Sequence, residues 1–221
     1  MVEKENDVKK LRFLGEDGEF YPEWVSSNLE ESLELLKDGT HGSHKEYKES
    51  NIFLLSAKNI KNNKIVISDD DRRISLSDYK KMYSNWSLEK GDVLLTVVGT
   101  IGRAAIVESP KNLAFQRSVA ILRVKQSILH NHYLHAYLQS NKTQKTLDSK
   151  KVVSAQAGIY LGTLSKISIP IPSLIEQTKI AELLSKIDEK IEAQAKLIEL
   201  RKKEKQGYMQ RILGGGGNIG A

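Results

Sequence analysis

Residues 173–213 constrain this chain more than any other stretch, because Ile180, Leu184, Ile187, Ile191, Gln194, Ile198, Arg201, Lys205, Tyr208 and Ile212 follow one another in alternating steps of four and three. That spacing keeps one seam of a helix turned toward a partner. The seam is apolar in its first half and mixed in its second. Pro170 and Pro172 disfavour helix before them, and Ser173 with Glu176 makes the S-x-x-E pattern that satisfies the first free amides. At 1.5 Å per residue the helix is a rod about 60 Å long. Such a rod must lie against something, so the expectation is a helix that joins copies or sets a distance.

The rest of the chain has room for one domain of about 170 residues. We expect a domain over 1–172, the helix over 173–213 and a flexible tail over 214–221, GGGGNIGA. With no cysteine, disulfides and thiolate metal sites are excluded. The N-terminus, MVEKENDVKKLRF, has no apolar signal-peptide core, and no run approaches the roughly 18 apolar residues that span a bilayer. The expectation is a cytoplasmic protein with no membrane partner. A net charge of +6, from 34 Lys and Arg against 28 Asp and Glu, suits a nucleic-acid partner without requiring one.

Residues 1–23 read as a charged arm with apolar anchors at Leu11, Phe13, Leu14, Phe20 and Tyr21. Residues 28–37 place Leu29, Leu33 and Leu36 on one face behind Asn28 as a cap, with Glu31 three later and Gly39 beyond, which predicts a short helix. Strand-like runs follow at 52–55, 65–67, 93–98, 104–107 and 119–124, with Asn62-Asn63, Lys90-Gly91 and Pro110 marking turns. Helical patches at 76–83 and 130–140 interrupt them. This mixture predicts an α+β fold: one globular β-rich domain followed by one long C-terminal coiled-coil helix.

No constellation for catalysis stands out. His41 and His44 sit in a Gly-rich loop without an acid at zinc-ligand spacing. Asp69, Asp70 and Asp71 are adjacent and cannot all point one way, so a turn is the simpler reading. GTIGR at 99–103 lacks the third glycine of a dinucleotide fingerprint and the Lys-Ser/Thr of a P-loop; its glycines suit a tight β-turn. There is no G-x-S-x-G elbow and no N-P-P-Y-like methylation motif. The expected catalytic, cofactor-binding and metal residues are none.

DGTHGSHKEY at 38–47, GDVLLTVVGTIGRAAIV at 91–107, SAQAGIYLGTLSKISIPIP at 154–172 and EQTKIAELLSKIDEKIEAQ at 176–194 resemble the specificity subunit of type I restriction-modification systems. The resemblance covers nearly the whole chain. It implies a non-catalytic DNA-reading protein, built of target recognition domains joined by long helices, around which methylation subunits assemble. It further implies that S-adenosylmethionine, ATP and magnesium act only in partner methylation and restriction subunits. The family's usual subunit carries two recognition domains and two helices. This chain departs from that pattern with one of each, which reads as a half-length form.

The helix charges point the same way on separate grounds. From Glu176 to Glu199 there are six acids against four lysines, and from Arg201 to Arg211 five bases against Glu204. An antiparallel pair lays the acidic half of one helix along the basic half of the other, although the helix dipole favours this distribution in a monomer too. The expectation is an antiparallel homodimer, its interface formed by the ten seam residues. Two identical readers about a two-fold axis would see a palindromic bipartite target on double-stranded DNA.

Base reading needs donors and acceptors on a fixed scaffold, with Lys and Arg on phosphates. The candidate DNA contacts lie in loops: Lys37, Thr40, His41, Ser43 and His44; Lys58 and Asn59; Thr96, Thr100 and Arg103; Gln116 and Arg117; and Lys150, Lys151, Ser154, Gln156 and Tyr160. Arg72 and Arg73 are set aside because they follow three aspartates and would pair with them. The alternative function is a dimeric DNA-binding regulator without modification partners, for which a compact helix-turn-helix pattern is expected and not visible.

Overall fold

The computed structural model describes residues 11–152 and 157–214, so Ser154 and Gln156 lie outside the described residues. The strands are β1 (Val25–Asn28), β2 (Leu33–Asp38), β3 (Phe53–Leu55), β4 (Ile60–Lys61), β5 (Lys64–Ile65), β6 (Val93–Thr96), β7 (Ala104–Ile106), β8 (Leu113–Phe115), β9 (Val119–Val124) and β10 (Ser168–Ile171). The helices are α1 (Leu76–Met82), α2 (Asn131–Leu138), α3 (Asn141–Ser149), α4 (Leu161–Leu164) and α5 (Leu174–Leu213). The class is α+β, as the sequence predicts. Two compact units result, divided between Ile180 and Ala181.

A four-stranded antiparallel sheet in the order β2-β9-β6-β7 organises the first unit. Its central strands read VLLT and VAILRV, near-continuous apolar runs, because both faces of the sheet are covered. On one face Val93, Leu95, Ala120 and Leu122 meet Tyr133, Leu134 and Leu138 of α2 and Leu147 of α3. On the other, Leu94, Val119 and Ile121 meet Leu55, Ile60, Leu113 and Phe115, from the parallel β3-β8 pair and the start of the β4-β5 hairpin. Each fully buried Val, Leu or Ile contributes about 1.5–3 kcal/mol relative to leaving it in water.

Residues 28–37 correct the expected helix. The cap at its start forms, with the Asn28 amide donating to Glu31 Oε2 at 3.2 Å, but only one 3-10 turn, Leu29–Ser32, follows. From Leu33 the chain becomes β2, paired with β9 across a bulge between Leu33 and Leu35. Leu35 then packs on one core cluster and Leu36 on the other. Opposite faces for adjacent leucines are what a strand provides and a helix does not. Gly39 likewise does not cap a helix. It lies against the Phe115 backbone, where a Cβ would stand 2.1 Å from the Phe115 carbonyl oxygen.

The start of α5 is fastened into the first unit by two buried polar residues. Ser173 Oγ accepts from the Glu176 amide at 3.3 Å, as its position suggests. The Glu176 carboxylate is fully buried and accepts from Arg12 Nε at 3.2 Å, Arg12 Nη2 at 3.0 Å and Trp24 Nε1 at 2.9 Å. The guanidinium of Arg12, held by that carboxylate, titrates above its ordinary value. Gln177, also fully buried, donates to the Ile128 and Pro172 carbonyls and accepts from the His130 amide. Ile180, the first seam residue, is half-buried and packs on the domain's own core.

Residues 181–213 continue α5 as the second unit. Leu184, Ile187, Ile191, Ile198, Tyr208 and Ile212 are each at least 40% exposed, so the described residues leave this stripe uncovered. Gln194, Arg201 and Lys205 are exposed as well. Pairs within the helix, Glu192–Lys196 at 3.1 Å, Glu199–Lys202 at 2.8 Å and Arg201–Glu204 at 2.7 Å, lace its polar side.

Candidate nucleic-acid interface

Neighbouring strands of the main sheet are antiparallel, so the loop after β2, the loop before β9 and the turn from β6 to β7 share one end of it. Backbone hydrogen bonds stitch them together: the Thr40 amide to Phe115 O at 2.8 Å, Arg117 to Thr40 O at 3.0 Å and Val97 to Ser118 O at 2.9 Å. The rim continues from Gly99 to Ala157 O at 3.1 Å, from Ile159 to Val97 O at 2.9 Å and from Val152 to Gly158 O at 3.0 Å. The turn before β4 joins through the Ala57 amide, which donates to Ser118 Oγ at 3.0 Å. Loops dispersed over more than a hundred residues of sequence thus form one rim.

Several candidate contacts are presented there. Ser43, Thr100, Arg117 and Lys150 are exposed, and Tyr160, which precedes α4, is 70% exposed. Lys37 is exposed on β2 with its Nζ 5.8 Å from the centroid of the Trp86 ring. His41 pairs with Asp38 at 2.6 Å and His44 with Thr40 Oγ1 at 2.9 Å, so each imidazole is oriented by its own partner. Gln116 is half-buried beside Thr40, with which it forms an isolated bridge. Lys151 is exposed and pairs with Asp148 on α3.

Two candidates leave the surface and one serves structure as well. Thr96 is fully buried, its Oγ1 accepting from the Arg103 amide at 2.9 Å, and so closes the GTIGR turn. Asn59 is buried and donates to Asp71 at 2.7 Å and to Val66 O at 2.9 Å. A side chain spent on such bonds cannot reach a base. Lys58 forms an ion pair with Asp71 at 2.7 Å. Burial pushes the Asp71 carboxyl up, but hydrogen bonds from Lys58, Asn59 and the Ser68 amide outweigh it and bring it to about 2. Arg73 corrects the expected pairing: it donates to Lys48 O at 2.8 Å and covers the Phe53 ring.

A polar cleft of about 530 Å³ opens beside the GTIGR turn, lined by Lys61, Asn62, Asn63, Gly102, Arg103, Ala104, Gln139 and Gln144. Of these, sequence reasoning nominated only Arg103. Asn62 and Asn63 were visible as turn residues, and both take positive φ, 49° and 63°, in the β4-β5 hairpin. Gln139 and Gln144 carried no signal, because they reach the cleft from α2 and α3 on a different part of the chain.

Relatives of this chain are known by sequence, and solved structures share its architecture. A putative specificity subunit of the type I restriction enzyme MjaX from Methanocaldococcus jannaschii is 29% identical over 220 residues, covering 95% of this chain and 49% of that protein. The chain therefore spans about half the length of that relative. The S subunit of a type I restriction-modification system from M. genitalium superposes with a TM-score of 0.58 at 19% identity, over 85% of this chain and 45% of that one. The HsdS subunit from Thermoanaerobacter tengcongensis gives a TM-score of 0.57 at 23% identity, over 80% and 40%. These likenesses speak to the fold. The model of the type I restriction modification DNA specificity domain matches residues 21–202, most of the chain, and the chain belongs to that family.

Proposed function

We propose that this chain is a non-catalytic DNA-reading component of a type I restriction-modification system. It pairs as an antiparallel homodimer that directs methylation and restriction subunits to a palindromic bipartite site on double-stranded DNA. The family match over residues 21–202 carries the DNA-reading part of this reading. The rim at one end of the sheet supports it, since it gathers loop donors and acceptors onto a rigid scaffold. The pairing rests on the exposed four-three stripe and the opposed charge halves of residues 181–213. S-adenosylmethionine, ATP and magnesium belong, in this reading, to the partner subunits. No helix among the described residues is long and apolar enough to cross a membrane, and the proposed place of action is the cytoplasm with the DNA.

Methylation-site sequencing of DNA from cells that express the chain with its methylation subunit tests this reading. A palindromic, two-part methylated sequence is expected with the pair, and no methylation from the chain alone. An asymmetric target in the absence of a second specificity protein overturns the symmetric pairing. Methylation by the chain alone overturns the non-catalytic role.

A further inference from the structure

We propose that Arg103 and Gln144 together read one G·C base pair in each half-site, from the polar cleft beside the GTIGR turn. This inference rests on the reading of the chain as a DNA-recognition component and adds the base and the residues. The cleft lies at the β7 edge of the same sheet end that carries the rim, and its 530 Å³ is lined almost wholly by polar side chains.

Gln144 is the more informative of the two. Its Nε2 donates to Gly102 O at 2.9 Å and to Leu138 O at 2.7 Å. Backbone carbonyls only accept, so the amide can face one way only, and both of its hydrogens are used. What remains for a guest is Oε1, an acceptor. Gly102 makes room for it: its φ is +90°, and a Cβ there would stand 2.4 Å from Oε1. Any side chain at 102 would push the amide out of place.

Arg103 supplies the opposite chemistry. Its backbone is anchored by the hydrogen bond that its amide donates to Thr96 Oγ1, while Nη1 touches Ile60 O at 3.4 Å, a long contact that a guest can displace. The cleft thus offers a donor fork and a pure acceptor. In the major groove, guanine presents two acceptors, N7 and O6, and its cytosine a donor, N4. Arginine takes the guanine edge bidentately and Gln144 Oε1 takes the cytosine amino group. An A·T pair fits poorly, since a glutamine reads adenine with both its oxygen and its NH2, and here the NH2 is already spent.

The test uses the full chain assembled with its methylation subunit. A duplex library randomised over the target defines the half-site, and duplexes altered one position at a time then report binding. For Arg103→Ala, discrimination at one G·C position should fall by about 5- to 150-fold, with the other positions unchanged. Gly102→Ala should relax the same position by displacing Gln144. Lys61→Ala, an exposed residue of the cleft lining, should weaken all duplexes alike and lower the salt dependence. Arg103→Lys keeps the charge and loses the fork, which separates base reading from a phosphate contact even if the alanine variant folds poorly. Full discrimination by Arg103→Lys, uniform weakening by Arg103→Ala, or relaxation at an A·T position each overturns this inference and leaves the DNA-reading role standing. A wild-type complex with no sequence preference overturns that role itself.

Discussion

At the scale of single residues, the polar side chains divide into those that hold the rim and those that the rim presents. Asp71 belongs to the first group. Lys58 and Asn59 look like loop readers in sequence, yet both bind this one buried carboxylate. Its folded pKa of about 2 lies below the unfolded value of about 3.9, so the stability it contributes is fully present above that value and is lost as pH falls toward 2. Replacing Lys58 by Met should cost about 1–2 kcal/mol at neutral pH, less than a fully buried pair because Lys58 is half in water. It should also flatten the acid limb between about pH 4 and 2. Urea unfolding at a series of pH values checks this, and an unchanged acid limb would show that Lys58 does not hold Asp71.

Among the elements, β2 and α5 show what a periodic pattern can and cannot settle. The sequence NLEESLELLK at 28–37 satisfies a helical face and a strand nearly equally, and pairing with β9 decides for the strand. Among the described residues no partner strand competes for residues 181–213, whose apolar stripe repeats over many turns in a helix that starts at a well-defined cap. Ile187 and Ile191 are 44% and 60% exposed in the single chain. Placing Asp at both positions puts unpaired charge into the proposed seam. Sedimentation should then show monomers at micromolar concentration where the unaltered chain is dimeric. A monomeric wild type, or a dimeric double variant, refutes the pairing. Ile180 is unsuitable for this test, because its replacement would also disturb the domain core.

For the whole molecule, the proposed pairing through helices would tie the spacing of two half-sites to helix length. One inserted base pair moves the far half-site by about 3.4 Å and rotates it, so the complex should tolerate any spacer bases but not a changed spacer length. Removing a whole number of heptads from 181–213 should preserve the seam and demand a shorter spacer. Binding to duplexes with altered spacers measures this, and indifference to spacer length argues against a helical ruler. The α+β class, the central strands, the long helix and the family were legible in the sequence, because period, capping and turn chemistry are local. Residues that meet only across the fold were not legible. Gln144 comes to Gly102, Arg12 to Glu176 and Asn59 to Asp71 through tertiary contacts that no spacing encodes. The amino-acid order alone determined which segments become strands or rod wherever apolar burial had one solution. Tertiary structure decided which polar side chains are spent inside and which stay exposed, because a buried donor or acceptor must find its match wherever the fold brings one.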